Sequence, residues 1–328
     1  MPKISTMGPQ EHILNKLEIL KPAEKSAGNF ESSKNLADFI FRTIMSGKFR
    51  KFSVTADYQE HVKAAIQQSI TENAPIKFVF PFGAYKLWRL SETPETDWAE
   101  LFTLMYYATW LKPITEVYGP GIWFDFSADD IIVERMNNIP KNETEIYAKN
   151  FNELINFLNI YLPHNIKFTL TPVSSFYAPD EFEADLHDRI EEKKKEFHGL
   201  PILDDRKRRM VELNVRLKPK QDEDPLWREK IELLHQAYYA VSKRRPYTRA
   251  RDKILVFVTK GDGYIAVGTT KTSVAKFWVG IGALKKEGES YKEYVLSPSQ
   301  LGNAQFVWED ISIPGLKGKN FSKIRVMG

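Results

Sequence analysis

The chain has 328 residues, 42% of them hydrophobic and 27% charged, with no cysteine and a formal net charge of +4. That balance excludes a disordered, collagen-like or coiled-coil chain. The lack of cysteine excludes disulfides, thiolate metal sites, iron–sulfur clusters and cysteine nucleophiles.

The opening residues MPKISTMGPQEH lack the basic-then-apolar build of a secretion signal. No run approaches the roughly 18 apolar residues of a membrane helix. The expectation is therefore a cytoplasmic protein with no membrane partner, and Asn142-Glu-Thr144 and Asn320-Phe-Ser322 are read as chance glycosylation patterns.

The first 73 residues read as helices. Asn35 to Met45 is amphipathic and closed by Gly47, and residues 57–72 repeat the pattern. Ile76-Lys-Phe-Val-Phe80 is then a strand, stopped by Pro81 and Gly83. Thr93 as N-cap, Pro94 at the first helical position and acidic Glu95 and Asp97 open a helix. Trp98, Leu101, Met105, Ala108 and Leu111 mark one face of it. Tyr118-Gly-Pro-Gly121 ends that helix, and Ile122-Trp-Phe-Asp-Phe126 is the second strand.

Helices are expected around 128–136 and 142–159, a third strand at Ile166–Leu170, and a charged helix from Pro179 to about His198. Residues 199–252 read as polar and largely helical, with 226–242 amphipathic. A β-rich end follows: Ile254–Val258, Tyr264–Gly268, Lys276–Gly280 and Ser312 onward, with Gly261-Asp-Gly263 as a hairpin turn between the first two. Apolar strands separated by helices indicate parallel βαβ units. The fold class is α/β, Rossmann-like, with a mainly parallel central sheet, flanking helices and a β-rich C-terminal part. The expected organisation is a helical N-terminal part over 1–73 and the Rossmann-like domain over 74–328, with a helical insertion at about 180–250.

Three segments carry chemistry. In open α/β sheets ligands sit beyond the carboxyl ends of the strands, which directs attention to the loop after the first strand. Lys86 and Arg89 there suit a phosphate or carboxylate, and Trp88 offers a stacking surface. The alternative is a surface loop with Trp88 packed beneath it. The second segment is Asp125, Asp129, Asp130, Glu134 and Arg135 at the end of the second strand. Ser127-Ala-Asp-Asp130 also reads as a helix N-cap with acidic first-turn residues, which leaves Asp125, inside an apolar strand, unexplained.

The third segment, Lys243-Arg-Arg-Pro-Tyr-Thr-Arg-Ala-Arg251 with Lys253, places six cations in eleven positions. It suits a phosphate ester, a nucleic-acid backbone or simply solvent. Charge is uneven along the chain. Residues 1–200 hold 22 Lys and Arg against 28 Asp and Glu, net −6, whereas residues 201–328 hold 25 against 15, net +10. The six histidines (12, 61, 164, 187, 198, 235) show no HxH or HExxH spacing, and no GxSxG, GxGxxG or Walker pattern occurs.

Residues 75–160 resemble the isocyanide synthase family, which includes pyoverdine-associated and dityrosine biosynthesis proteins. The resemblance lies in the order Pro75-Ile-Lys-Phe-Val-Phe-Pro81, a lysine-bearing loop, Asp97-Trp-Ala-Glu-Leu-Phe102, Val117-Tyr-Gly-Pro-Gly121 and Asp129-Asp-Ile-Ile-Val133. It implies a Rossmann-like enzyme that turns an amino acid's amine into an isocyanide, with one carbon from ribulose 5-phosphate.

On that resemblance Lys86 and Arg89 approach the sugar phosphate or the amino-acid carboxylate, and Arg244, Arg245 and Arg249 complete the phosphate site. Asp129 or Asp130 orients the amine or sugar hydroxyls, with proton transfers by a carboxylate or Lys86. Three segments depart from the family pattern. Lys86-Leu-Trp-Arg89 stands for a Lys-Ser-Pro-Asn-like loop. Val307-Trp308-Glu309-Asp310 stands for a Pro-Trp-His-Gly segment, and Val267-Gly-Thr-Thr270 for a Ser-Ile-His-Pro-like one.

The expected site has Lys86, Asp129 and Asp130 as catalytic residues. Arg89, Trp88, Asp125, Arg244, Arg245, Arg249 and Arg251 bind the ligand. The partner is a small anionic substrate, with a phosphorylated sugar as co-substrate and neither a cofactor nor a metal. The alternatives are a nucleic-acid or nucleotide binding protein using the basic C-terminal third, and a non-catalytic relative.

Overall fold

A computed structural model of the chain describes residues 7–22, 33–83, 95–137, 139–178, 180–197, 251–258, 261–268 and 274–328, together with Leu233. The amphipathic stretches of the N-terminal part form α1 (Pro9–Leu20), α2 (Ser33–Ile44) and α3 (Ala56–Glu72). The apolar runs after them form β1 (Ile76–Phe82), β2 (Ile122–Ala128) and β3 (Ile166–Pro172). Between these strands lie α4 (Trp98–Thr115), α5 (Asp130–Asn137) and α6 (Lys141–Leu158). A 3-10 turn at Val173–Phe176 and helix α7 (Glu181–Phe197) follow β3.

Strands β4 (Lys253–Phe257) and β5 (Ile265–Ala266) complete a five-stranded sheet of order β3-β2-β1-β4-β5, with every neighbouring pair parallel. This is the expected Rossmann-like α/β sheet, and its strand order reverses between β1 and β4. A separate mixed sheet of order β7-β6-β9-β8 follows, made of β6 (Ile281–Glu287), β7 (Ser290–Leu296), β8 (Val307–Asp310) and β9 (Lys323–Met327). The β6–β7 and β8–β9 pairs are antiparallel, and β6–β9 is parallel.

Because side chains alternate along a strand, the parallel sheet has two chemically different faces. One carries Phe78, Phe80 and Phe82 from β1, Phe124 and Phe126 from β2, and Phe168 from β3, all buried. Tyr107 of α4 lies 4.5 Å from Phe124, Phe151 of α6 lies 5.2 Å from Phe126, and Phe277 lies 4.9 Å from Phe82, ring centre to centre. The high aromatic content therefore fills a core. The opposite face carries Lys77, Val79, Trp123, Asp125, Ser127, Thr169, Thr171, Lys253 and Leu255.

Helix α4 is buried on nearly all sides, not on the one face its pattern suggested. It packs on the parallel sheet, on β6 and β7, and on α1 and α2, which leaves only a narrow stripe at Tyr106, Thr109, Lys112 and Pro113 toward solvent. Its cap also differs from expectation. The helix begins at Trp98, and Asp97 is the N-cap in a capping box with Glu100, whereas Thr93 and Pro94 lie outside the described residues. Close approach fixes the junction with the mixed sheet. A Cβ on Gly282 of β6 would sit 2.4 Å from the Ala99 nitrogen, and Gly282 N–H donates to Asp97 Oδ2 at 3.3 Å.

The C-terminal expectations need three corrections. Residues 261–263 do not join a hairpin, since β4 and β5 are parallel. A tight two-residue type I′ turn needs positive φ at both central residues, and within this segment only Gly263 has it, at 81°. Lys276–Gly280 is not a strand but the end of a 3-10 turn, Val274–Val279. Adjacent Phe277 and Trp278 are both buried in the aromatic core, which the alternation of a strand forbids. Residues from Ser312 form turns before β9, because Gly315 (φ 83°) and Gly318 (φ 121°) take conformations no strand holds. The amphipathic stretch 226–242 lies, apart from Leu233, outside the described residues.

Candidate functional site

The polar face of the parallel sheet is where the structure departs most from simple packing. Strands of parallel sheets are ordinarily apolar on both faces, so a half-buried polar face with Asp125 and Ser127 fully inside it asks for a reason. Asp125 is its centre, 2% exposed. Its Oδ1 accepts hydrogen bonds from the hydroxyls of Thr169 and Thr171 on β3, at 2.5 and 2.6 Å. Thr169 stands opposite Asp125 in the register, and its hydroxyl in turn accepts the indole N–H of Trp123 at 2.8 Å.

The next residue on the same face of β2 is Ser127, fully buried. Among the described residues its hydroxyl has no hydrogen-bond partner. An unsatisfied buried hydroxyl costs about 1–3 kcal/mol, so this position suits a bound polar group. Lys253 shares the face from β4. Burial lowers its ammonium pKa from the ordinary 10.5, while the charges of Asp252 and Asp125 oppose that shift.

At the carboxyl end of β2, Asp129 N–H donates to the Phe82 carbonyl at 2.8 Å, tying β2's exit to β1's. Asp129 is buried at 9% exposure and directly precedes the first helical residue of α5. Ser127 belongs to the strand, so the Ser-led cap expected at Ser127–Asp130 is not formed. A residue turned into the sheet face cannot reach the amides of a helix that starts three residues later. Asp130 accepts from both the backbone N–H and the hydroxyl of Ser174, at 3.0 and 2.5 Å, which fastens α5 to the turn after β3. Burial raises the carboxyl pKa of Glu134, on α5, against a 2.6 Å bond from the Thr144 hydroxyl.

Asp125, Asp129 and Asp130 are thus brought to the carboxyl half of β2 and its exit. Arg251 is exposed and precedes β4, at the amino edge of the sheet, beside the Lys77–Asp252 ion pair at 2.7 Å. A strand of this length spans roughly 20 Å, so Arg251 and Asp129 stand at opposite edges. Lys86, Trp88, Arg89, Arg244, Arg245 and Arg249 lie outside the described residues.

Sequence reasoning missed Thr169, Thr171 and Ser127. The available signal was alternation: Trp123, Asp125 and Ser127 in β2 and Thr169 and Thr171 in β3 are polar or amphipathic at every second position. Among the described residues there is no cluster of metal-ligating side chains, and no helix is long and apolar enough to cross a membrane.

No family model matches the chain, and no curated protein matches it. In structure it is similar to the PvcA protein from Pseudomonas aeruginosa, with 12% identity and a TM-score of 0.57 over 89% of this chain and 100% of that one. At that identity the likeness shows a shared fold.

Proposed function

We propose that the chain is a biosynthetic enzyme of the isocyanide synthase type. It acts on an amino acid and a phosphorylated, ribulose 5-phosphate-like sugar held at the polar face and carboxyl edge of the parallel sheet. The observation that carries the reading is the buried Asp125 carboxylate with its threonine hydroxyls, beside an open hydroxyl on Ser127 and with Lys253 on the same face. A carboxylate and an ammonium on one sheet face complement the two charges of a zwitterionic amino acid. Support also comes from the PvcA fold, because a fold shared over nearly the whole chain is what the resemblance of residues 75–160 implies.

In this reading Asp125 and Asp129 orient the substrate amine and the sugar hydroxyls. Glu134, whose carboxyl pKa is raised by burial, holds a proton more readily than an exposed carboxylate. Asp130 positions the turn after β3. Lys86, Arg89 and the arginines 244, 245 and 249 are proposed to meet the phosphate and carboxylate.

Thermal denaturation with ribulose 5-phosphate, other sugar phosphates and a panel of amino acids tests the proposal. One sugar phosphate and one amino acid should each raise the melting temperature, and Asp125→Asn should abolish the amino-acid shift. No shift with any compound, in a protein that unfolds cooperatively, would sink the reading.

A further inference from the structure

A cleft of about 280 Å³ opens between the first turn of α4, the turn before β9, and strands β6, β8 and β9 of the mixed sheet. It shares no residue with the Asp125 face. Its walls carry three cations, Lys319, Lys323 and Arg325, and the indole of Trp308, which is 51% exposed. Among the described residues the one carboxylate in the lining, Asp97, is committed to the fold: its oxygens accept the N–H groups of Ala99 and Gly282.

Among the described residues two acidic side chains touch the lysines from outside. Glu95 lies 3.0 Å from Lys319, and Asp310 lies 3.7 Å from Lys323. Both lysines are largely exposed, so these pairs are worth little and yield readily to a stronger anion. Arg325 is different. It is 6% exposed, and its guanidinium stacks 4.1 Å above the Trp308 ring, fixing a charged plane and an aromatic plane together.

We infer that this cleft is a binding site for a small phosphorylated molecule with a flat ring, of the nucleoside monophosphate class. Two largely exposed lysines lining one small cleft, with the fixed Arg325 charge beside them, suit a phosphate dianion better than a single carboxylate. A half-exposed indole already stacked by arginine offers a platform for a planar base. A cleft of about 280 Å³, just below the usual range for ligand sites, limits the ligand to the size of one nucleotide and excludes a dinucleotide. This site is independent of the function proposed above, since it uses none of the same residues.

Isothermal titration of the full-length chain with AMP, adenosine, inorganic phosphate and benzoate tests the inference. AMP should bind at least about tenfold more tightly than phosphate or adenosine alone, because ring and phosphate each contribute. Trp308→Ala and the double variant Lys319→Ala/Lys323→Ala should each weaken AMP about tenfold or more. All three side chains are exposed, so folding is retained and is checked by urea denaturation. The inference is overturned if AMP binds no better than phosphate, if benzoate binds more tightly than AMP, or if Trp308→Ala binds AMP like the parent chain.

Discussion

Asp125 lies in mid-strand and caps no helix, and its neighbours show how a carboxylate is kept inside a sheet. Thr169 both receives the Trp123 indole N–H and donates to Asp125, so it serves two groups, whereas Thr171 serves one. Replacing a hydroxyl by a methyl of the same shape removes those bonds without opening a cavity. Thr169→Val should therefore destabilise the protein by about 2–4 kcal/mol and Thr171→Val by about 1–2 kcal/mol, read from urea denaturation. Equal losses for the two variants would show that the Trp123–Thr169–Asp125 chain is not a connected unit.

At the scale of elements, what can be read in sequence follows from how local the determinants are. Strands β1, β2 and β3 announce themselves as short β-branched and aromatic runs between breakers, and α2, α3 and α6 as amphipathic stretches. The 3-10 turn at Val274–Val279 does not, because its aromatics are apolar enough for a strand and only the core they enter decides otherwise. Parallel pairing of β5 is equally hidden. That strand has two residues, and the rest of the exposed edge of β4 is closed by α3: Tyr58 Oη accepts the Leu255 N–H at 2.6 Å, and His61 bonds the Lys253 carbonyl at 2.9 Å. Asp125 and the acidic exit of β2 were legible as candidates. Their hydroxyl partners were not, since the pairing of β2 with β3 is set by register across more than forty residues.

The docking of α1 on β7 gives an element-level prediction. His12 bonds Glu293 at 2.9 Å, and Lys16 lies 3.4 Å from the same oxygen. Burial alone would raise the Glu293 carboxyl, but the His12 bond and the Lys16 charge outweigh it and hold the pKa below its ordinary 4.5. A carboxylate depressed in the folded state adds stability above its unfolded value, and that stability is lost as pH falls through the folded one. Glu293→Gln should cost roughly 1–2 kcal/mol at pH 7, and the difference from the parent should shrink below pH 4.5, measured by urea denaturation across pH. A difference that stays constant down to the acid limit would remove the ion pair as the cause.

For the whole molecule, the two sheets are unequally protected. Strands β1 and β2 lie in the interior of the parallel sheet, with an aromatic layer on one side, whereas β8 is the edge of the mixed sheet and exposes Val307 and Trp308. Native-state hydrogen exchange should find the amides of Phe124 and Phe126 opening only with global unfolding, and those of β8 exchanging through local fraying. Comparable protection in β8 would mean that the mixed sheet is stabilised by more than its own pairing.

The contact between α1 and β7 also has a meaning in time. His12 and Glu293 are 281 residues apart in sequence. A ribosome adding about 5–20 residues per second needs on the order of tens of seconds to make that interval. During synthesis α1 has α4 to pack on early, but its bond to β7 waits until residue 293 has been made. The His12–Glu293 bond therefore closes late, onto a helix that α4 already holds.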